Sequence, residues 1–248
     1  MSEDGRPMGM VRRSAEVVQL LAARGALSIA EVAEQVEMPR ASVYRLTEAL
    51  VQARLVEVGS DGRARVSRRC LRLSDSTRAG LQEWSAAREV LDALSDRTGQ
   101  TTYLSVPVGG QALCIDWSRG RGISVLALKP GRTLPLHAGA AGRATLAYRS
   151  EPVEDYLAHA PFPVLTPYTL TTAEELWKDV RATQERGYSI SDEDVTIGIG
   201  ALGVPLWTQA GALRGTLSLA GLAAEVRGRH PELVTALNAS AAGLTAQG

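Results

Sequence analysis

A helix start and a helix break lie eleven residues apart near the N-terminus, at Ser28-Ile-Ala-Glu31 and Met38-Pro39. Ser and Glu at this spacing satisfy each other's orphan amides, so a helix begins at the first. Pro39 ends it by removing a backbone donor and restricting the residue before it, and is expected to be the first residue of the next helix. The helix between, with Ile29, Val32, Ala33 and Val36 on one side, spans about two turns and is too short to stand alone. Its neighbours are readable. Val11–Arg24 carries apolar residues at Val11, Ala15, Val18 and Leu21/Ala22 and is closed by Gly25, a helical period with a glycine stop. A third helix runs from Pro39 to about Ala53. Leu55–Val58 and Ala64–Ser67 then flank Gly59-Ser-Asp-Gly62, two short strands about an Asp-Gly turn.

Helix, short helix, helix and hairpin in this order predict a winged helix-turn-helix. On the third helix, at about 100° per residue, Leu46 and Leu50 fall within about 60° of Val43 and form one buried stripe. Tyr44, Ala41 and Arg45 fall on the opposite face, with Arg40 and Ser42 at the helix start. The N-terminal residues of such a helix meet base edges in a major groove. Arg can fork onto guanine, while Ser and Tyr suit phosphate or thymine. Arg63 and Arg65, two apart on one strand, are expected to grip phosphate from the wing. Charge agrees: the chain is neutral overall, yet residues 40–78 hold nine Arg against four acids. A local basic patch on a neutral chain suits a nucleic-acid module joined to something else.

Ser74 to about Arg97 reads as a connecting helix with Leu81, Trp84, Val90, Leu91 and Leu94 as its apolar members. Leu81, Trp84 and Leu91 have no evident partner in the sequence, and a dimer held partly by this helix is expected. Beyond it the pattern becomes α+β. Thr101–Val106 and Ala112–Trp117 read as strands about Gly109-Gly110, Ile123–Leu128 as a third, and Ala201–Trp207 and Leu213–Ala220 as a further pair. Helices are expected after Gly142, at Val153–Ala160, at Ala173–Arg186 and at Pro231–Ala246. The expected domains are therefore 1–73, the helix 74–97, and 98–248, the last an antiparallel sheet with flanking helices of the GAF-like sensor class.

Leu134-Pro-Leu-His-Ala-Gly-Ala-Ala-Gly142 leads into a helix. A small-residue loop opening a helix presents free amides and a positive dipole end, suited to an acidic ligand around Ala140, Ala141 and Gly142. The acidic run Asp192-Glu193-Asp194 reads ordinarily as a solvated loop, and one inward carboxylate is the sharper reading. Leu128, Leu136 and Ala201 are expected to form an apolar wall. Gly198-Ile-Gly-Ala-Leu-Gly203 matches a dinucleotide fingerprint, but Pro205 follows and the next stretch reads as strand, not helix. Its glycines suit a turn or a close backbone approach beside a pocket.

Composition narrows the function. With 45% hydrophobic residues over 248 positions, disordered, collagenous and disulfide-dense chains are excluded. The two cysteines (Cys70, Cys114) and three histidines (His137, His159, His230) lack metal-ligand spacing, so no metal or cofactor is expected. No apolar run reaches about 18 residues and the start lacks a signal core, so a cytoplasmic protein without a membrane partner is expected. No Ser-His-Asp, Cys-His or paired-carboxylate arrangement has a recognisable spacing. A small-molecule-processing enzyme with an accessory helical domain is the alternative, and it lacks a nucleophile beside a base.

The order of these motifs resembles the IclR family of bacterial transcriptional regulators from about residue 11 onward. The carriers are Ser28–Ala33, Met38-Pro-Arg-Ala-Ser-Val-Tyr-Arg-Leu46, Leu55-Val56, Leu134–Ala138 with Gly142-Arg-Ala144, Glu185-Arg-Gly-Tyr188, Asp192-Glu193 and Ser218-Leu-Ala-Gly221. The resemblance implies a winged helix-turn-helix, a linker helix and an effector-binding domain. It also implies homodimers or dimers of dimers on pseudo-palindromic double-stranded DNA, responding to a small-molecule effector. It carries pocket positions over to Ala140, Ala141, Asp192 and Ala201. Many members have Cys at the position of Ala201 and Arg at that of Gly200, so the effector class implied here differs: bulkier or less polar than a two-carbon acid.

Overall fold

The computed structural model describes residues 6–79, 84–122 and 128–245. The chain divides into two compact units, Met1–Gln82 and Glu83–Gly248. The first holds α1 (Arg6–Arg24), α2 (Ile29–Gln35), α3 (Arg40–Gln52), β1 (Val56–Val58), β2 (Ala64–Val66), a 3-10 turn at Arg68–Cys70, and α4 (Leu71–Ala79). The capping box forms as its spacing requires. Ser28 Oγ accepts the Glu31 amide at 3.3 Å, and Glu31 Oε2 accepts the Ser28 amide at 2.7 Å. Pro39 precedes α3 instead of opening it, with an extended ψ of 135°. β1 and β2 pair antiparallel, and Leu27 adds a bridge to Ala64.

One apolar core joins Val17 and Leu21 of α1, Val32 of α2, Val43, Leu46 and Leu50 of α3, and Val56 and Ala64 of the hairpin. The α3 stripe is the one expected. The α1 face is so only in part: Leu21 is buried and Val18 packs against the core as expected, but Val11 is 69% exposed and Val17, at 0%, takes the buried place. Several faces of α1 satisfy a helical period, and the choice between them is made by where α2 and α3 pack.

The second unit holds α5 (Ala87–Thr98), β3 (Thr101–Val108), β4 (Gln111–Ser118), β5 (Thr133–Pro135), α6 (Ala140–Tyr148) and α7 (Val153–Leu157). These are followed by α8 (Ala173–Arg186), β6 (Ser189–Asp192), β7 (Ile199–Trp207), β8 (Leu213–Leu222), α9 (Ala223–Gly228) and α10 (His230–Thr245). The short β5, β6 and α9 were not foreseeable from hydrophobic alternation. The described strands form one antiparallel sheet in the order β5-β4-β3-β8-β7-β6. Its two faces can be read along β7. A Cβ on Gly200 would meet Ala223 and Val226 of α9 at 3.1 and 3.2 Å, whereas one on Gly203 would stand 2.9 Å from the Ala140 carbonyl of α6. Strand side chains alternate between faces, so α6 covers one face and α9 the other.

The connecting helix expected over 74–97 is interrupted. α4 ends at Ala79 in the first unit, Ser85 and Ala86 form a turn, and α5 starts at Ala87 in the second. α5 packs on β3, β4 and α10, burying Leu91 and Leu94 completely. Trp84 is also buried, with the Arg214 guanidinium 4.0 Å from its ring centroid. Trp84 and Leu91 are thus packed within their own unit. Leu81 and residues 123–127 of the expected third strand lie outside the described residues.

Candidate functional site

The core of the first unit decides which side of α3 faces outward. With Val43, Leu46, Thr47 and Leu50 turned in, Arg40, Ala41, Tyr44 and Arg45 are exposed and Ser42 is half-buried. Tyr44 is 56% exposed, unusual for an aromatic with no partner in its own unit. Among the described residues, neither Arg40 nor Arg45 has a carboxylate partner. The helix start therefore presents two cationic forks and an aromatic ring on one surface.

The wing arginines differ. Arg63 Nη2 donates to both oxygens of Glu31, at 2.8 and 2.7 Å, and Arg65 lies 3.4 Å from Glu57. Glu31 is held down at about 2 by the Ser28 amide first, then by Arg63 and the Ser28 hydroxyl. Arg63 and Arg65, expected to grip phosphate, each face a carboxylate within their own unit. The one on Arg63 is the residue that caps α2.

In the second unit a narrow slot opens between the sheet and the start of α6. Tyr103 of β3, Ser218 and Ala220 of β8, Ile199 and Ala201 of β7 and Ser191 of β6 line it from the sheet. Leu134, Gly139, Ala140 and Ala141 face them, with Leu128, Val195 and Thr196 completing the wall. The centre of a water molecule can reach about 60 Å³ of it, within about 500 Å³ of empty space that includes its open mouth. The described lining residues include no charged side chain. Gly139 caps α6 at φ 75° and ψ 151° without a side-chain cap. The backbone there turns more sharply than an L side chain favours, and the amides of Ala140 and Ala141 begin the helix without intrahelical acceptors.

Of the expected ligand-binding residues, Leu128, Ala140, Ala141 and Ala201 meet at this slot. Leu136 does not: it is buried in a separate cluster with Leu146, Phe162 and Leu176. Gly142 packs against the chain, since a Cβ there would stand 2.3 Å from the Pro135 carbonyl oxygen. Asp192 lies on the other face of the sheet, ion-paired with Arg227 at 2.7 Å. Alternation explains it. Ser189 and Ser191 of β6 point inward, so Ile190 and Asp192 point away. Glu193 then takes a positive φ of 62° and returns the chain so that Asp194, 1% exposed, is the inward carboxylate. Gly200 shares the outward face, so an Arg there would not reach the slot.

Asp194 anchors the slot from behind. It accepts the Gly139 amide at 3.1 Å, Arg143 Nη1 at 3.3 Å and the Ser191 hydroxyl. Arg143 also donates Nε to Asp179 of α8 at 2.7 Å. Burial opposes the Arg143 charge, but Asp179 and Asp194 outweigh it and raise the guanidinium pKa. His137 is structural. Its Nδ1 lies 3.2 Å from the Tyr156 hydroxyl and its Nε2 3.1 Å from the Pro163 carbonyl, and burial lowers its pKa against the opposing pull of Pro163 and Asp194. Sequence reasoning missed Tyr103, Ser191 and Ser218, because their convergence depends on strand pairing, Tyr103 of β3 facing Ser218 of β8 and Ser191 of β6 facing Ala201 of β7.

The described residues contain no helix long and apolar enough to cross a membrane and no cluster of three or more His, Cys, Asp or Glu fit for a metal ion. Residues 80–246 match the family model described as bacterial transcriptional regulator IclR C-terminal, and residues 10–59 match the IclR helix-turn-helix domain. The HTH-type transcriptional regulator XynR of Escherichia coli K12 is 25% identical over 219 residues, covering 87% of each chain. A putative IclR transcriptional regulator from Silicibacter sp. TM1040 superposes with a TM-score of 0.77 at 27% identity, over 96% of this chain and 95% of that one. An IclR homologue from Microbacterium hydrocarbonoxydans, solved in complex with 4-hydroxybenzoate, gives a TM-score of 0.80 at 20% identity over 96% and 98% of the two chains. Both halves of the chain answer to the same family, in the same order, and the outward α3 and the hollow sheet domain are the parts those two models describe. The chain belongs to the IclR family of bacterial transcriptional regulators.

Proposed function

We propose that this protein binds double-stranded operator DNA through the exposed face of α3 and changes that affinity when a small organic acid occupies the slot. The observation that carries the reading is the pair of guanidiniums, Arg40 and Arg45, without a carboxylate partner among the described residues, with Tyr44 between them on the outer face of a helix-turn-helix. Ala41 and Ser42 on the same turn let the helix approach base edges closely, as a recognition helix must. The free amides of Ala140 and Ala141 are the acid's counterpart, and Leu128 and Ala201 its apolar wall. Two recognition helices on successive major grooves require a homodimer or a dimer of dimers, with half-sites repeating at about 10 bp or a multiple. The protein acts in the cytoplasm, where its DNA lies, and performs no catalysis.

A mobility shift with the DNA upstream of its own gene, run at two salt concentrations, tests this. The wild type binds and weakens steeply with salt. Arg40→Ala and Arg45→Ala each weaken binding by about 1–3 kcal/mol and relax base preference at one position. Wild-type affinity in the double variant refutes the assignment of α3.

A further inference from the structure

Tyr103 presents an unusual buried group. Its side chain is 2% exposed and lines the slot, yet among the described residues its hydroxyl has no hydrogen-bond partner. The ring is fixed by Trp117, 6.1 Å away between centroids, and packs with Cys114, Leu128 and Ala220. Burial raises its pKa above the ordinary tyrosine value, with Cys114 adding to the rise, so the group stays a neutral phenol able to donate or accept. A buried hydroxyl left unpaired costs free energy that a phenylalanine would avoid.

The slot offers the α6 amides on one side and the hydroxyls of Tyr103, Ser191, Thr196 and Ser218 elsewhere, and among the described residues that of Tyr103 is buried without a partner. The amides of Ala140 and Ala141 lie over β7, where the Ala140 carbonyl approaches Gly203. Tyr103 stands on β3, two strands further along the sheet, or about 10 Å at the spacing of paired strands. Between them lie Ala201 of β7 and Ser218 and Ala220 of β8, with Leu128 beside Tyr103. Resting on the reading of the slot as an effector site, we propose that its ligand is a slender acid with a second hydrogen-bonding group. The α6 amides take the acidic end, and Tyr103 reads the hydroxyl or carbonyl at the other. The narrowness of the slot favours a flat or unbranched body. The lack of a charged side chain in its described lining leaves neutral donors to hold the anion, and Tyr103 to distinguish ligands.

Calorimetric titration of the full chain with two matched pairs tests this: benzoate against 4-hydroxybenzoate, and hexanoate against 6-hydroxyhexanoate. The wild type binds the hydroxylated member of at least one pair roughly tenfold tighter or more, the scale of pairing a buried orphan group. Tyr103→Phe binds both members within about threefold, and without ligand melts at or above the wild-type temperature because the hydroxyl it lacks had no partner. Equal affinities in the wild type, undiminished discrimination in Tyr103→Phe, a ligand-free variant that melts well below the wild type, or binding of none of the four overturns the proposal. Operator binding is read separately. Tyr103-dependent discrimination with unchanged DNA affinity keeps this inference and removes the responsive-regulator reading, whereas a shift in DNA affinity by both members of a pair alike does the reverse.

Discussion

Replacing Asp194 by Ala removes three partners at once: the Gly139 amide at 3.1 Å, Arg143 Nη1 at 3.3 Å and the Ser191 hydroxyl. A hydrogen bond to a buried charge contributes about 1.5–3 kcal/mol, which would give roughly 4.5–9 kcal/mol for three independent bonds. The loss is smaller, because Arg143 keeps Asp179 and its link to Asp194 is long. About 3–5 kcal/mol, the usual cost of breaking a buried pair by removing one partner, is expected. For a unit of this size that lowers the melting midpoint by about 10 °C. All four tryptophans, Trp84, Trp117, Trp177 and Trp207, lie in the second unit, so tryptophan fluorescence during heating or urea unfolding reports that unit alone. Asp192→Ala is the control two residues away, and its exposed ion pair with Arg227 makes it no worse than an ordinary surface substitution. An Asp194→Ala midpoint within about 2 °C of the wild type, or an Asp192→Ala loss as large, refutes the assignment of Asp194 as the anchor.

Two further outcomes follow from close contacts and charge. Gly142→Ala places a Cβ 2.3 Å from the Pro135 carbonyl, backbone that cannot swing aside, and should cost about 1–3 kcal/mol by urea unfolding followed by tryptophan fluorescence; an unchanged midpoint contradicts the packing. Glu31 has its folded pKa lowered from 4.5 to about 2, so its stabilisation is complete above about 4.5 and is lost as pH falls towards 2. Hydrogen-exchange protection of α2 in the wild type should therefore exceed that in Glu31→Gln at pH 6 and approach it at acid pH; a gap that is equal at pH 3 and pH 6 counts against the linkage.

The first unit was largely legible because its signals are local. The capping box, the Pro39 break and the Gly59–Gly62 turn each act within a few residues, and the α3 stripe follows from one helical period. The face of α1 was legible only in part, since its apolar residues allow several choices and tertiary packing picks Val17 over Val11 and Ala15 beside the expected Leu21. In the second unit, α8 lies where its capping residue Thr172 and stop Gly187 put it. The site beside it is assembled from strands distant in sequence, so Tyr103 and Ser218 carried no local mark. The acidic run shows how fine the limit is. One inward carboxylate was inferable, but choosing Asp194 over Asp192 required knowing that β6 ends at Asp192 and that Glu193 reverses the chain.

The Glu31–Arg63 pair has a consequence for counterions. A cationic side chain adds to the salt dependence of DNA binding only if it displaces an ion from phosphate, at about 0.9 in the logarithmic slope per contact. Counting the nine arginines between 40 and 78 overstates that slope, because Arg63 brings its own carboxylate in Glu31, and Glu57 lies beside both Arg65 and Arg68. On the proposed reading of α3, polyelectrolyte release would fall mainly to Arg40 and Arg45. If α3 is the reading helix, wing arginines neutralised internally would add less to affinity for arbitrary sequence than their number implies. Glu31 thus sets where α2 begins and also how much positive charge the hairpin shows to a polyanion.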